Sequence, residues 1–525
     1  MPASPLLPVA RTAGGQWLIA ALVAITLWRV GIAWLLPVTQ DEAYYFDWAR
    51  ALAWGYFDHP PGVAALGLGT LLAPGSALAA RLGNLIAATL TLLALLAFYR
   101  RCGLDATRDR FIAITLAVTP LPTLAGGVLT TPDTVLALAW VLALHEALAA
   151  LQGERARWIS AGAAVGLGLL AKYTMVLIGP VLLWSILRGD PRALRSPWPY
   201  VGALTAFLVF LPHVLWNAEQ DWLTMRFQFG HGFSVETGAL VGTDLPEPVD
   251  QSAEATDQGG AETAPRWGGV ARYLGTQIAL FGLLVIPLAA GLLRSGVRRE
   301  IRSALTLRLD PRARPLLYAA AAFPLAFFGV VAWLSEVEPN WPVAYLFAAA
   351  PLLAVIARRW WRWILVAAGV NLLLVSLYAI HGATGALPLP PSQERILRET
   401  HGYRELAALA SKLDAPVFAD RYQTTAMLRF YAPGLAAGQW PGLTRPSEYL
   451  RDRILAPDPP SLEDIRRAGG FWLIARATPP ALPGFRLQST LTLYDCRENG
   501  LAEAPEAPCK RPLHRWRLHR YRTDR

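Results

Sequence analysis

The sequence predicts an α-helical polytopic membrane protein with about eleven transmembrane helices, followed by an α/β domain outside the membrane. Its 525 residues are 54% hydrophobic and only 16% charged, whereas water-soluble domains carry about a quarter charged residues. The mean hydropathy is +0.34. Apolar runs long enough to cross a hydrocarbon core roughly 30 Å thick recur along the first three-quarters of the chain.

Short basic loops between the apolar runs predict how the chain is oriented. Arginine clusters follow the second, fourth, sixth, eighth and tenth runs. Because such loops lie in the cytoplasm, we expect a cytoplasmic N-terminus and a C-terminal domain on the opposite side. The first run has no small-residue cleavage site after it and is expected to remain as a span. We expect 11–13 spans and place eleven at about 15–36, 76–98, 111–129, 132–151, 158–173, 175–187, 197–217, 272–293, 315–334, 341–357 and 362–381.

Two of these spans are short and meet near Lys172. Residues 158–187 form an apolar run in which Lys172 is the single charge, and arginines lie at both ends. Two crossings that turn near Lys172 put both arginine clusters on the cytoplasmic side, whereas one long helix would separate them. A turn at this depth is tolerated where it is buried in protein or lines a wet cavity.

The chain is predicted to divide near residue 385, where the apolar runs stop. Residues 1–384 form the membrane domain, with a first outer loop at 38–75 and a second at 219–271. The second loop is predicted to be flexible because 245–265 is acidic, rich in Pro and Gly, and free of aromatic residues. Residues 385–525 form the α/β domain. Its "PVFADRY", "FWLIARA" and "RLQSTLTLYDC" are typical of strands, and its "SQERILRETHGYRELAALASKL" is typical of helix.

The C-terminal domain leaves two questions open. The stretch "KRPLHRWRLHRYRTDR" alternates enough to be a strand, and we expect a solvated edge strand rather than a contact with lipid phosphates. Cys496 and Cys509 would pair in an oxidising compartment, but the sequence does not show that they do.

The net charge of +10 comes largely from loop arginines, so it does not indicate a nucleic-acid partner. No Cys/His spacing resembles a zinc module.

Polar side chains gather at the outer ends of the predicted spans. The first outer loop begins with "QDEAYYFDWARALAWGYFDHPPG", which holds four carboxylates, a histidine and seven aromatics. This arrangement suits chemistry on a substrate whose reactive head lies at the membrane surface and whose tail stays in lipid. A transporter or flippase is the alternative, and it would be expected to show internal repeats and midplane charges. The residues on this side include Asp41, Glu42, Asp58, His59, Asp133, Lys172, His213, Glu336, Glu338 and Asn340.

Several of these residues also have ordinary structural explanations. Asp41 and Glu42 suit the start of an amphipathic helix. Asp58 can form a turn before the Pro-Pro pair, and Asp133 can serve as a cap-region acid at the start of a span. Lys172 is harder to explain in this way, since a cation at that depth costs a few kcal/mol unless it is paired or hydrated.

Five segments in order resemble the signatures of glycosyltransferase family 39. This family contains the protein O-mannosyltransferases and bacterial transferases that add aminoarabinose or other sugars to lipid A. The resemblance covers roughly residues 10–380, and "RYQTTAMLRFY" in the C-terminal domain is a weaker match. The five segments are "DEAYYFDWA", "GYFDHPPG", "TTPDTVLALAWVLAL", "GLGLLAKYTMVL" and "EPNWPVAYL".

The resemblance implies a fold, a reaction and a location. The fold is GT-C, with many transmembrane helices and a catalytic first outer loop. The reaction is a single inverting displacement of a sugar from a polyprenyl-phosphate donor to a lipid, glycan or protein acceptor. The location is the bacterial inner membrane, with the N-terminus in the cytoplasm and the C-terminal domain in the periplasm. Neither the sugar nor the acceptor is defined by the motifs.

The resemblance also assigns roles to particular residues. It makes Asp41 the base that deprotonates the acceptor, while Glu42 orients it or binds the sugar. Lys172 is the first candidate for the leaving phosphate, with Arg81 or a divalent metal ion as helper. The positions expected to bind substrate are Tyr44, Asp58, His59, Arg81, Asp133, Lys172, Tyr173, Glu338, Asn340 and Trp341.

The sequence departs from the aminoarabinose transferases at two places. Asp58 and His59 stand where those enzymes carry a Glu-Lys pair, so the phosphate role of this position is uncertain in this chain. Tyr44 lies where those relatives tend to have arginine. Both differences point to the broader bacterial membership. Trp341 either stacks on the sugar or belongs to the aromatic belt at the interface. A metal site remains an alternative, with Asp41, Asp58, His59 and Glu338 as candidate ligands.

Overall fold

Long apolar helices dominate the first part of the chain. A computed structural model describes residues 13–233, 245–247, 266–293, 297–390, 393–451, 457–497 and 500–524. Within these ranges, six helices are long and apolar enough to span a membrane, and a bent pair would make a seventh. The six are Gly15–Leu35, Leu82–Arg101, Pro132–Leu151, Trp198–Glu219, Ala313–Leu334 and Arg358–Thr384, and the bent pair is Trp267–Ala279 with Gly282–Leu293.

The predicted polytopic helical fold is confirmed, but several predicted spans are broken or short. The segment 111–129 consists of helices Thr107–Val118 and Leu121–Gly126, which are separated at Pro120. The segment 158–187 breaks after Leu169, as predicted. The number of crossings therefore remains a prediction. The other described helices are Gln40–Trp48, Gly62–Leu66, Ala77–Ala80, Arg157–Leu169, Ile178–Gly189, Leu223–Phe233, Val285–Leu293, Val297–Arg308, Tyr345–Ile356, Arg395–Thr400, Tyr403–Ala410, Tyr422–Tyr431 and Leu462–Arg467.

One asparagine satisfies the backbone groups that two helix breaks leave free. Asn371 is fully buried in the last span. Its Nδ2 donates to the carbonyls of Thr119 and Phe281, both at 2.9 Å, and its Oδ1 accepts from the Leu283 N–H at 3.1 Å. Broken helices are tolerated in a membrane where such partners exist. The break after Thr119 and the 94° bend near Phe281 are thus held by the same side chain.

The C-terminal domain contains a six-stranded mixed sheet, as the predicted α/β domain requires. The strand order is β2-β1-β3-β6-β4-β5. β1 pairs in parallel with β2 and β3, and the remaining pairs are antiparallel. The strands are β1 Val417–Ala419, β2 Gly438–Gln439, β3 Gly470–Ala475, β4 Phe485–Cys496, β5 Gly500–Glu503 and β6 His514–Thr523.

The basic C-terminal stretch is a strand, but the predicted edge position was wrong. β6 lies inside the sheet, between β3 and β4. Its Trp516 and Leu518 side chains are buried in the core shared with the first loop, and Tyr521 is buried in a second core on the opposite face of the sheet. Cys496 at the end of β4 forms a disulfide with Cys509. This bond answers the pairing question and is typical of a domain in an oxidising compartment.

The first outer loop packs against the C-terminal domain in one shared core. Tyr44, Phe46 and Trp48 of the loop belong to the same cluster of buried side chains as Met427 and Phe430 of the domain. The predicted boundary at residue 385 therefore separates two parts of the sequence that share one packed core. The second outer loop begins with helix Leu223–Phe233 rather than with irregular structure. Most of the segment 245–265, which was predicted to be flexible, lies outside the described residues.

A buried ion pair also joins the loop to the domain. The Arg429 Nε lies 2.5 Å from the Asp47 carboxylate, and both side chains are almost completely buried. The other Arg429 nitrogens donate to the carbonyls of Ala437 and Pro457. Arg50 contacts the second Asp47 oxygen at 2.9 Å. The carboxylate is thus compensated on both sides, as a buried charge requires.

Candidate active site

Asp41 stands at the start of the helix that follows the first span. Helix Gln40–Trp48 begins with a capping box between Thr39 and Glu42, which fixes the direction in which its first turn points. The Asp41 side chain is accessible to solvent and accepts a hydrogen bond from the Tyr422 hydroxyl at 3.2 Å. Surrounding protein nevertheless displaces enough water that burial raises the pKa of Asp41, and the Glu399 carboxylate raises it further. An accessible carboxylate of this kind is suited to accept a proton.

Glu42 and Arg81 form a buried pair next to this helix. The Arg81 Nε and Nη2 contact the two Glu42 oxygens at 2.8 and 2.6 Å. The remaining Arg81 donors bond to the carbonyls of Ala33, Leu36 and Pro37. All five N–H groups of the guanidinium are therefore used inside the protein. This geometry holds the loop to the first two spans. It is compatible with the predicted role of Glu42 in orienting Asp41, and the substrate contacts predicted for Glu42 and Arg81 stay predictions.

Tyr44 and Asp58 lie together, as expected for one site, and both contact the C-terminal domain. The Tyr44 hydroxyl donates to one Asp58 oxygen at 2.7 Å, and Arg445 Nη1 donates to the other, also at 2.7 Å. The Arg445 guanidinium lies 4.2 Å above the ring of Tyr422, the residue that also contacts Asp41. Arg445 therefore links Asp58 to Asp41 through the stacked ring of Tyr422.

Asp133, Lys172 and Asn340 converge although they are far apart in sequence. Lys172 Nζ lies 2.8 Å from one Asp133 oxygen, and Asn340 Nδ2 donates to the other at 2.6 Å. Lys172 itself has extended backbone at the helix break, with φ −158° and ψ 136°. Each side chain comes from a different helix end or loop. The structure thus assembles three of the predicted substrate-binding residues into one cluster.

The first outer loop reaches the same helix break. The Gly62 N–H donates to the carbonyl of Leu170 at 2.8 Å. A Cβ on Gly62 would lie 2.9 Å from that oxygen and from the Ala171 backbone, so only glycine allows this approach. The contact brings His59 within electrostatic range of Lys172 and Asp133. Burial lowers the pKa of His59 to about 4, so its ring is neutral at pH 7.

The other predicted residues lie around this cluster or away from it. The Tyr173 hydroxyl is 2.6 Å from His213 Nε2 and belongs to a network within the helices. Trp341 is partly buried against Phe328, with ring centroids 5.8 Å apart, and its stacking on a sugar stays a prediction. Glu338 is exposed. No group of three or more His, Cys, Asp or Glu residues in the described ranges is placed to hold a metal ion.

Several residues near Asp41 could not be found from the sequence. Tyr422 and Arg445 have no motif of their own apart from the weak match "RYQTTAMLRFY" around Tyr422. Glu448 is fully buried and accepts from the Phe57 N–H at 2.6 Å, and burial raises its pKa to about 7. Glu399 influences Asp41 through its charge. All four belong to the C-terminal domain, and local patterns do not reveal which of its segments return to the first loop.

Comparison with known proteins agrees with this architecture. Residues 58–216 match the family model described as dolichyl-phosphate-mannose-protein mannosyltransferase. The crystal structure of ArnT from Cupriavidus metallidurans bound to undecaprenyl phosphate superimposes with a TM-score of 0.60 at 16% identity, over 97% of this chain and 98% of that chain. The chain has the GT-C fold, and its segment 58–216 is similar to this mannosyltransferase family.

The match to a GT-C protein extends over the membrane and C-terminal domains together. The apo structure of the same ArnT gives a TM-score of 0.56 at 16% identity, again over 97% of this chain and 98% of that one. Curated protein sequences give no match. The family segment contains Asp58, His59, Asp133 and Lys172, which are four of the predicted site residues.

Proposed function

We propose that this GT-C protein is an inverting glycosyltransferase. It transfers a sugar from a polyprenyl-phosphate carrier to an acceptor hydroxyl on a lipid, glycan or protein. The observation that carries the proposal is Asp41, a solvent-accessible carboxylate whose pKa is raised by burial, at the end of the bundle where Asp133, Lys172 and Asn340 converge. The match of segment 58–216 to a mannosyltransferase family supports it.

The reaction needs one base and one positive charge. Asp41 takes the proton of the acceptor hydroxyl as its oxygen bonds to the anomeric carbon. On the opposite face, the bond from that carbon to the phosphate oxygen breaks, and polyprenyl phosphate leaves with the electron pair. A base within hydrogen-bond reach of the acceptor accelerates such a step by roughly 10²–10⁴-fold. The raised pKa of Asp41 makes it a stronger base once it is ionised.

Lys172 stabilises the charge that develops on the phosphate. Asp133 and Asn340 fix the position of its ammonium group before the substrate arrives, and preorganised charge of this kind is most effective in a water-poor site. The neutral His59 beside it can donate a hydrogen bond to the same phosphate. Arg445 and Tyr422 hold Asp58 and Asp41 on the acceptor side.

The proposed location is the outer face of the bacterial inner membrane. The basic loops favour a cytoplasmic N-terminus, and the Cys496–Cys509 disulfide favours an oxidising, periplasmic environment for the C-terminal domain. Asp41 and the domain lie on the same side of the bundle, since Tyr422 contacts Asp41 directly. The sugar head of the donor would therefore be presented in the periplasm while its chain stays in lipid.

The test is a mass-spectrometric profile of lipid-linked sugars and envelope glycans. Cells would carry the intact gene, a deletion, Asp41→Asn, or the control Asp221→Asn, which changes an exposed aspartate in an outer loop. We expect one sugar to disappear from one acceptor in the deletion and in Asp41→Asn, with its polyprenyl-phosphate donor accumulating, while Asp221→Asn resembles the intact gene. Full rescue by Asp41→Asn would rule out Asp41 as the base and favour a transporter or flippase.

A further inference from the structure

Arg29 is a buried cation whose hydrogen bonds are incomplete. It lies in the first span, six residues before Leu35, which corresponds to about 9 Å below the helix end that leads to Asp41. Its side chain is only 4% exposed. Nη1 donates to the Ala88 carbonyl at 3.1 Å, whereas Nε has no partner. No carboxylate in the described ranges forms a salt bridge with this guanidinium, although a buried charge is costly without one.

A cavity lies between Arg29 and the Lys172 cluster. Its volume is about 60 Å³, several times the roughly 10–15 Å³ that a single water needs. Arg29 and Asp133 both line it, together with apolar side chains such as Leu92 and Phe347. Because Lys172 and Asn340 hold the two Asp133 oxygens, Asp133 connects the cavity to that cluster.

The position of the guanidinium is fixed by a close backbone contact. A Cβ on Gly127 would lie only 2.6 Å from Arg29 Nε and 3.0 Å from Cζ. Glycine at this position therefore allows the guanidinium to lie flat against the chain, beside the cavity. Its backbone φ of −73° is open to any residue, so the requirement is space and not conformation.

We propose that Arg29 binds the phosphate of a polyprenyl carrier from the membrane side, in the cavity that Arg29 lines together with Asp133. A guanidinium matches two phosphate oxygens at once, which an ammonium cannot do. The apolar wall suits the hydrocarbon chain that follows the phosphate. This assignment rests on the proposed function for the identity of the lipid, but the binding itself requires no turnover.

The test measures ligand binding by the purified full-length protein in detergent. Farnesyl phosphate, phosphatidic acid and inorganic phosphate are titrated separately, and the melting temperature is followed with and without each. The variants are Arg29→Gln, Gly127→Ala and the control Arg110→Gln. Arg110 is also buried with an unpartnered Nε, but it lies at the opposite end of the bundle, at the start of helix Thr107–Val118.

We expect Arg29→Gln to weaken farnesyl phosphate binding at least tenfold. Without ligand, its melting temperature should stay the same or rise, because an uncompensated buried charge is removed. Gly127→Ala should weaken binding in the same direction by displacing the guanidinium, which keeps the test valid if Arg29→Gln does not fold. Arg110→Gln should leave the Kd unchanged.

Three results would overturn the assignment. One is an unchanged Kd for farnesyl phosphate in both Arg29→Gln and Gly127→Ala, which would show that the cavity does not bind the phosphate. Another is a lower melting temperature of ligand-free Arg29→Gln with an unchanged Kd, which would make Arg29 structural. The third is binding of phosphatidic acid or inorganic phosphate as tight as that of farnesyl phosphate, which would exclude a carrier-specific site. Failure of the proposed function would appear separately, as normal glycan profiles in Asp41→Asn with binding at Arg29 intact.

Discussion

At the scale of single residues, the proposed base and the proposed phosphate-binding cation depend on different physical effects. Asp41 depends on partial desolvation and on the neighbouring Glu399 charge, which both raise its pKa. Lys172 depends on one fixed contact, which it makes at a helix break to Asp133, and Asn340 holds the other Asp133 oxygen. The raised pKa of Asp41 predicts how the transfer rate depends on pH. The fixed position of Lys172 predicts that its replacement lowers the rate even at saturating substrate concentration.

The transfer rate should fall on the acid side at a higher pH than an ordinary aspartate would cause. Asp41 must be ionised to accept a proton, and its pKa is raised above the usual value of about 3.9, so activity is lost as pH falls through the raised value. Glu399→Gln removes a negative neighbour and also frees Arg395, its partner at 2.6 Å. Both changes should shift the acid limb of kcat/KM to lower pH. Glu405→Gln, an exposed change in the next helix, should not shift it.

Replacing Lys172 should act mainly on kcat. Lys172→Met removes the charge that meets the developing phosphate, and loss of one such preorganised group typically lowers kcat by about 10²–10³-fold. The measurement is turnover of a lipid-linked donor at saturating concentration. Lys412→Met, which alters an exposed lysine of the C-terminal domain, is the control. A Lys172→Met enzyme with normal kcat would contradict the assigned role.

At the scale of elements, broken helices create the site and require internal partners. The break at Lys172 exposes the ammonium group, and the breaks near Thr119 and Phe281 share Asn371 as their partner. A helix that ends inside a membrane leaves polar backbone groups without water. The buried asparagine is therefore expected to be important for stability even though it contacts no proposed substrate.

Asn371→Leu should destabilise the protein by about 2–3 kcal/mol, because it leaves buried backbone donors and acceptors unpaired. The melting temperature of the purified protein is the readout. Asn84→Leu is the matched control, since Asn84 is also fully buried in a span but makes only one long hydrogen bond, at 3.4 Å to the Gly126 carbonyl. Equal losses in both variants would show that the helix breaks are not held by Asn371.

At the scale of the whole molecule, the first outer loop and the C-terminal domain form one body. Arg429 and Asp47 are buried between them, and Arg445 reaches Asp58 across the same boundary. Such a connection is stronger than the polar and separable contact that usually joins two domains of a chain. We therefore expect substitutions at the contact between the loop and the C-terminal domain to lower activity even where they do not alter a residue of the candidate active site.

Arg429→Met should loosen the C-terminal domain from the loop. Removing one partner of a buried pair typically costs about 3–5 kcal/mol, because the other charge stays buried. Here Arg50 compensates part of that charge, so the lower part of the range is expected. Limited proteolysis should cut the domain faster, and transfer activity should fall with it. Arg467→Met, at an exposed arginine of helix Leu462–Arg467 in the same domain, should change neither.

Sequence patterns predicted the class of fold and much of one side of the site. Hydropathy revealed the helical membrane domain, alternation revealed three of the strands, and the ordered motifs brought attention to Asp41, Asp133 and Lys172. The buried pairing of Glu42 with Arg81 was not predicted, because a motif does not distinguish a buried structural pair from a substrate contact. β6 was placed at an edge because its many arginines resemble a solvated surface, whereas its apolar residues are buried on both faces of the sheet.

The C-terminal contributions were beyond such patterns for a different reason. Tyr422 and Arg445 act through tertiary contacts with residues 381 and 387 positions away. Neither residue stands in a strong motif or at a periodic position that would have signalled the contact. The role of Asn371 at the helix breaks was likewise not predictable, since a lone asparagine in an apolar run is compatible with many environments.

The return of the chain end to the first loop has a consequence for biosynthesis. Tyr422 is made 381 residues after Asp41, which at roughly 5–20 residues per second is an interval of about 20–75 s. During that time the nascent protein presents its first loop without the partner that completes it. A truncated or stalled chain would therefore insert into the membrane but remain inactive, so catalysis would begin only after translation has passed the last strand.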